Sequence, residues 1–158
     1  MSDVGTDYFT GSVSKDFFRL FCGDRIGFGS ARETYECLTN PEWVVKIEFK
    51  AQSFQNIFEW DIWLWVKEHG MKRYFAPCRF ISPCGAVLIQ DRTAPLPLNY
   101  ELPKKMPAMM GDLKRSNFGL LNGKLVAHDY GTNNVTMQLN HRVRLASSAL
   151  VKANWVPD

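Results

Sequence analysis

Asp112 and Asp129 stand seventeen positions apart with Asn117 between them, in the stretch Met110 to Gly131, MGDLKRSNFGLLNGKLVAHDYG. Two carboxylates and a carboxamide gathered in one small volume offer hard oxygen ligands. Mg²⁺ takes such ligands when water or phosphate fills its remaining positions. The same stretch supplies a device that can gather them. Phe118-Gly-Leu-Leu reads as a short strand, Asn122-Gly123 as a tight hairpin turn, and Lys124 to Ala127 as the returning strand. A hairpin of that size can return Asp129 beside Asp112 and Asn117. Taken alone, the stretch also reads as an ordinary Asn-Gly hairpin with solvated acids.

A second set of residues suited to phosphate lies nearer the N-terminus. Gly27-Phe28-Gly29 falls at a strand end, and alternation resumes through Thr34-Tyr35-Glu36-Cys37-Leu38. After a turn at Asn40-Pro41, Trp43 to Phe49 is strongly β and carries Lys46. Glycines in such a turn let backbone amides approach phosphate without a side-chain clash, although a bland hairpin glycine explains a lone GxG as well. Ala51 to His69 is the main helix candidate, with Gly70 as its C-cap. Trp60, Trp63 and Trp65 fall on different faces, so the helix is expected to be covered on more than one side. Glu59 shares a face with Ile62, Trp63 and Val66 by helical spacing, which sets it apart from Asp61 and Glu68 on the same helix. Cys78 to Ser82 and Ala86 to Gln90 read as two more strands, turned at Pro83-Cys84-Gly85. The expected fold class is α+β, with a five-stranded antiparallel sheet and one principal helix.

The order of these features resembles the protein-kinase-like superfamily, which includes the Ser/Thr protein kinases and the aminoglycoside phosphotransferases. Asp112-x-x-x-x-Asn117, a hairpin, then Asp129-Tyr130-Gly131 is similar to that family's catalytic loop and Asp-Phe-Gly. Gly27-x-Gly29 ahead of Val44-Val45-Lys46 is similar to its glycine loop and Val-Ala-Ile-Lys strand. The resemblance implies ATP and Mg²⁺ as cofactors. Gly27 and Gly29 would cover the phosphates, and Lys46, held by Glu59, would pair with the α and β phosphates. Gln90 would back the pocket, with Asp91 and Arg92 as the hinge that meets adenine through backbone groups. Asn117 and Asp129 would hold the metal. Asp112 would orient and deprotonate an acceptor hydroxyl, and Lys114 would offset charge on the moving phosphoryl group. All of these side chains would converge on one triphosphate-sized hollow.

The chain also departs from the family. The third glycine of GxGxxG is Arg32, and the histidine usual in the catalytic loop is Met110. Only twenty residues lie between Asp91 and Asp112. The proline-rich stretch Thr93 to Pro107 reads as an extended connector, with Lys104 and Lys105 solvated. After Gly131 there remain 27 residues, of which Met137 to Ala153 read as a helix carrying Arg142, Arg144 and Lys152. The reading is therefore a flexible arm at 1–15 and a single minimal kinase-like domain at 16–158. Within it, 16–92 would be N-lobe-like, with Phe17 to Phe21 a short helix packed on the core. Residues 93–107 would be the connector, 108–131 the catalytic hairpin, and 132–158 a much reduced C-terminal lobe.

Composition bounds the rest. A chain of 158 residues with 46% hydrophobic and 22% charged residues can bury a sizeable core. No apolar run reaches transmembrane length and the start shows no signal-peptide pattern, so a cytoplasmic setting without a membrane is expected. Cys22, Cys37, Cys78 and Cys84 lack zinc-site spacing and read as buried free thiols. A net charge of +3 suits phosphate ligands, whereas Lys114, Arg115, Arg142, Arg144 and Lys152 read as a solvated face, making nucleic acid an unlikely partner.

Two functions follow. The first is an ATP/Mg-dependent phosphotransferase acting on a hydroxyl, such as Ser/Thr of a protein. The alternative is a catalytically weak or inactive kinase-like protein that binds and inhibits a host protein, an accessory or anti-defence role like that of some phage proteins. The missing helical lobe favours the alternative, since the surface it would cover calls for a protein partner or a homodimer.

Overall fold

The computed structural model describes residues 15–50, 52–131 and 149–157. The arm expected at 1–15 lies outside them except for Lys15. By internal contacts the chain falls into two compact units, Met1–Trp60 with Pro77–Arg92, and Asp61–Ala76 with Thr93–Asp158. No helix among the described residues is long and apolar enough to cross a membrane.

The first unit is α+β. Helix α1 (Lys15–Phe21) leads into β1 (Cys22–Phe28), β2 (Arg32–Cys37) and β3 (Trp43–Glu48), and β4 (Cys78–Ile81) and β5 (Val87–Asp91) complete the sheet. The order is β1-β2-β3-β5-β4, antiparallel throughout. The expected five strands thus form one sheet. Residues alternate between its faces, and the two faces differ in chemistry. Val45 and Ile47 of β3 join Cys22, Tyr35, Cys37 and Val87 in an apolar cluster, against which α1 packs Phe17 and Phe18. Phe18 meets Tyr35 edge to face at 5.0 Å between centroids. Full burial of side chains such as Val45 and Ile47 stabilises the fold by about 1.5–3 kcal/mol each. Cross-strand pairing puts Arg32, Val44, Lys46, Glu48, Leu88 and Gln90 on the other face.

Helix α2 (Gln55–Glu68) begins four residues later than the sequence suggests. Gln52 (φ 61°) and Phe54 (φ 53°) are left-handed, which interrupts any helix reaching back to Ala51. Glu48 at the end of β3 then serves the helix start, accepting the Asn56 amide at 2.5 Å and the Ser53 hydroxyl at 2.9 Å. At the other end Gly70 adopts φ 71°, and the Met71 amide donates back to the Val66 carbonyl at 2.9 Å, the expected glycine cap. Burial follows one stripe, Asn56, Glu59, Ile62, Trp63 and Val66. Of the three tryptophans expected to need cover on more than one side, Trp63 is buried and Trp60 and Trp65 are half-buried, while Leu64 is exposed.

The second unit contains β6 (Lys105–Pro107), β7 (Phe118–Leu121), β8 (Lys124–Ala127) and β9 (Leu150–Lys152). β7 and β8 form the predicted hairpin, turned by Asn122 (φ 51°) and Gly123 (φ 73°), the pair of positive dihedrals that a two-residue type I′ turn requires. Lys104 and Lys105 are exposed, as expected. β6 pairs with β9, so the connector is not wholly irregular, and Leu150–Lys152 is a strand where a helix over Met137 to Ala153 is expected. The β-branched Val151, set among hydrogen bonds to β6, takes the extended form. The remainder of that helix lies outside the described residues except for Ala149 and Ala153.

Candidate functional site

In the first unit the fold brings Lys46, Glu59 and Gln90 together. Lys46 projects from the middle of β3 on the polar face, and Glu59 comes down from the first turns of α2. The Lys46 ammonium lies 2.5 Å from Glu59 Oε1, and the side chains are 5% and 0% exposed. Gln90 donates to the same oxygen at 2.9 Å from β5. Of the three acids weighed on α2, Glu59 is therefore the partner, while Asp61 and Glu68 are exposed.

Two further residues of this cluster escape sequence reasoning. Arg32 donates from Nη2 to Glu59 Oε2 at 2.5 Å and from Nη1 to Asn56 Oδ1 at 3.1 Å, and it is itself buried. Asn56 donates its amide to the carbonyls of Lys46, Gly85 and Ala86 at 3.1–3.3 Å. Asn56 thus ties the helix start to β3 and to the turn before β5. Both groups are polar residues at positions where periodicity alone predicts nothing. The one available signal is Arg32 standing where a glycine motif would carry its third glycine.

Gly27 lies within β1 opposite Thr34, and Gly29 opens the turn, its amide donating to the Arg32 carbonyl at 2.9 Å. Phe28 between them is 70% exposed and stacks on Phe49 at 5.7 Å. At the proposed hinge the Asp91 amide donates to the Pro77 carbonyl at 2.8 Å and the Arg92 amide to the Glu42 carbonyl at 2.7 Å. Those two backbone donors are engaged within the unit. The Asp91 carboxylate accepts a two-pronged bond from Arg79, 2.6 Å on each arm, which holds the Arg79 guanidinium above its usual pKa. Arg92 pairs with Glu36 at 2.8 Å.

In the second unit Asp112, Asn117 and Asp129 are joined through Asn117. Its side-chain amide donates to the Asp112 carbonyl at 3.1 Å, and its own carbonyl accepts the His128 and Asp129 amides at 2.9 and 3.3 Å. Asn117 is buried, and Asp112 and Asp129 are half-buried. The carboxamide nitrogen is thereby committed to the loop, which turns its oxygen away from that carbonyl. Lys114 Nζ lies 3.9 Å from Asp112 Oδ1, a loose and partly exposed pair.

The bracing of this loop was not read from the sequence. His128 bonds through Nε2 to the Ser116 carbonyl at 2.9 Å and through Nδ1 to the Thr93 hydroxyl at 2.6 Å. A carbonyl only accepts, so Nε2 carries a proton and donates to Ser116; in the neutral ring Nδ1 then accepts from the Thr93 hydroxyl. Met110 is buried, its amide donating to the Pro107 carbonyl. Tyr130 is fully buried, stands edge-on to Phe75 and donates its hydroxyl to the Ala76 carbonyl at 2.8 Å.

Among the described residues no group of three or more His, Cys, Asp or Glu side chains gathers to hold a metal. Asn117 and Asp129 carry a carboxamide and a carboxylate oxygen, the donor types that Mg²⁺ accepts when water and phosphate supply its other ligands. The chain matches no protein-family model, and no curated protein sequence matches it.

Proposed function

We propose that the chain is an ATP/Mg-dependent phosphotransferase of the protein-kinase-like type, which moves the γ-phosphoryl group to a hydroxyl such as Ser/Thr of a protein. The observation that carries this reading is the Lys46–Glu59 pair. An ammonium on a central strand, buried on a helix glutamate, is a costly arrangement for stability alone. It is well suited to holding a cation in one place for phosphate.

In this proposal Lys46 binds the α and β phosphates, fixed in direction by Glu59 and Gln90. Asn117 and Asp129 would hold Mg²⁺, which would supply positive charge to offset that of the phosphates. Asp112 orients the acceptor hydroxyl and takes its proton, and Lys114 offsets charge on the phosphoryl group in transit. Phosphoryl transfer asks for positioning and electrostatic stabilisation rather than covalent help from the protein, which these residues can supply. The first unit would serve as the N-lobe of a minimal kinase, and the second as its catalytic loop with a reduced C-terminal lobe.

The exposure of Phe28, together with Ile26 on the edge strand β1, favours a second reading. In it a kinase-like chain binds and inhibits a host protein. Thermal unfolding separates the readings. Mg²⁺-ATP at one hundred times its Kd is expected to stabilise the fold by about 2.7 kcal/mol, raising Tm. An unchanged Tm at millimolar Mg²⁺-ATP would reject the phosphotransferase and leave the binder.

A further inference from the structure

Arg32 is 4% exposed and stands on the polar face of the sheet, its backbone opposite Glu48 and two positions along β2 from Thr34, the partner of Lys46. Its guanidinium spans two residues of α2, Asn56 and Glu59. The Glu59 carboxylate is thereby divided. Oε2 receives Arg32, and Oε1 receives Lys46 and Gln90. One arm of the planar Arg32 fork holds Oε2 while the other is anchored on Asn56, which restrains how the carboxylate can turn Oε1.

We propose that Arg32 is a positioning residue for phosphate binding, aligning Glu59 so that Lys46 is directed at the nucleotide's phosphates. This rests on the nucleotide site proposed above. It accounts for an arginine at the third position of the glycine motif, because a side chain leaving the strand after this turn reaches the helix carboxylate.

The test is a double-mutant cycle on ligand affinity, using Arg32→Met, Arg32→Lys and Lys46→Met in the full chain, each checked for cooperative unfolding. The probes are Mg²⁺-ATP and adenosine, followed by calorimetric titration. Because the effect would pass through a lysine whose proposed contact with the nucleotide is to phosphate alone, Arg32→Met is expected to weaken Mg²⁺-ATP about tenfold and leave adenosine unchanged. Arg32→Lys, which keeps the charge but not the fork, should fall between. With Lys46 already replaced, the Arg32 substitution should have little further effect. Equal loss for ATP and adenosine, or full additivity with Lys46→Met, would reduce Arg32 to a structural tie and overturn the proposal. Unchanged ATP affinity in both Arg32 variants would do the same while sparing the nucleotide site. Absence of any Mg²⁺-ATP binding by the unsubstituted chain would overturn both together. Should Arg32→Met not fold, Arg32→Lys alone decides the question by the same comparison.

Discussion

Asn117 donates its side-chain amide to the backbone carbonyl of Asp112 at 3.1 Å, so the residue proposed to hold a metal also sets the shape of the loop that carries the proposed base. Replacing it with Ala removes the donor, and replacing it with Asp sets a carboxylate against that carbonyl. Both variants are expected to lose about 1–3 kcal/mol, read by urea unfolding without metal or nucleotide. A variant as stable as the parent would mean that the bond is not maintained in solution.

Glu59 is shared by two buried cations, and its loss should therefore weigh more than the loss of either. Glu59→Gln strands Arg32 and Lys46 without the carboxylate they share and is expected to cost about 3–5 kcal/mol. Lys46→Met leaves Glu59 bonded to Arg32 and Gln90 and should cost less than half as much. Denaturant midpoints for the two variants check the ranking, and a reversed order would show that the cluster is not organised around the carboxylate.

Two glycines are set by close neighbours rather than by turn preference alone. A Cβ on Gly85, at φ 74°, would come within 2.5 Å of Ile57. One on Gly119 would meet the Thr93 hydroxyl at 2.4 Å and the Ala94 carbonyl at 2.8 Å. Gly85→Ala and Gly119→Ala should each lower stability by about 1–3 kcal/mol, whereas Gly29→Ala, whose nearest neighbour would be the Arg32 carbonyl at 3.4 Å, should be milder. Melting temperatures of the three variants test this order.

Thiol chemistry tests the burial pattern independently of function. Cys84 is exposed, while Cys22, Cys37 and Cys78 are buried. A thiol-disulfide reagent at pH 8 should titrate one cysteine quickly and the other three only on denaturation. Burial, with Cys37 nearby, pushes the Cys22 thiol from 9.0 up to about 12. Because the folded value lies above the unfolded one, the folded state holds its proton longer. The associated stability is complete below pH 9 and is lost as pH rises from 9 toward 12. Urea midpoints should fall over that interval, and less so for Cys22→Ser.

Much of the sheet and hairpin could be read directly from the residues. Asn122-Gly123 specified its turn, the alternating and β-branched runs specified the strands, and the spacing of Glu59, Ile62, Trp63 and Val66 picked out the stripe that α2 buries. What escaped was set by long-range contact. The pairing of Lys105–Pro107 with Leu150–Lys152 joins segments more than forty residues apart, and local propensity carries no trace of it. The roles of Arg32 and Asn56 depend on which carbonyls and carboxylates the folded chain delivers to them. The late start of α2 depends on two left-handed residues, Gln52 and Phe54, neither of which is a glycine.

Phosphotransfer is tested most directly by transfer of label from Mg²⁺-[γ-³²P]ATP to the protein itself or to a protein in a bacterial lysate. The expected result is labelling by the unsubstituted chain that is lost on chelation of Mg²⁺ and lost in Asp112→Asn, while that variant still shows a raised Tm with Mg²⁺-ATP. No labelling by the unsubstituted chain, or labelling that persists undiminished in Asp112→Asn, would contradict it.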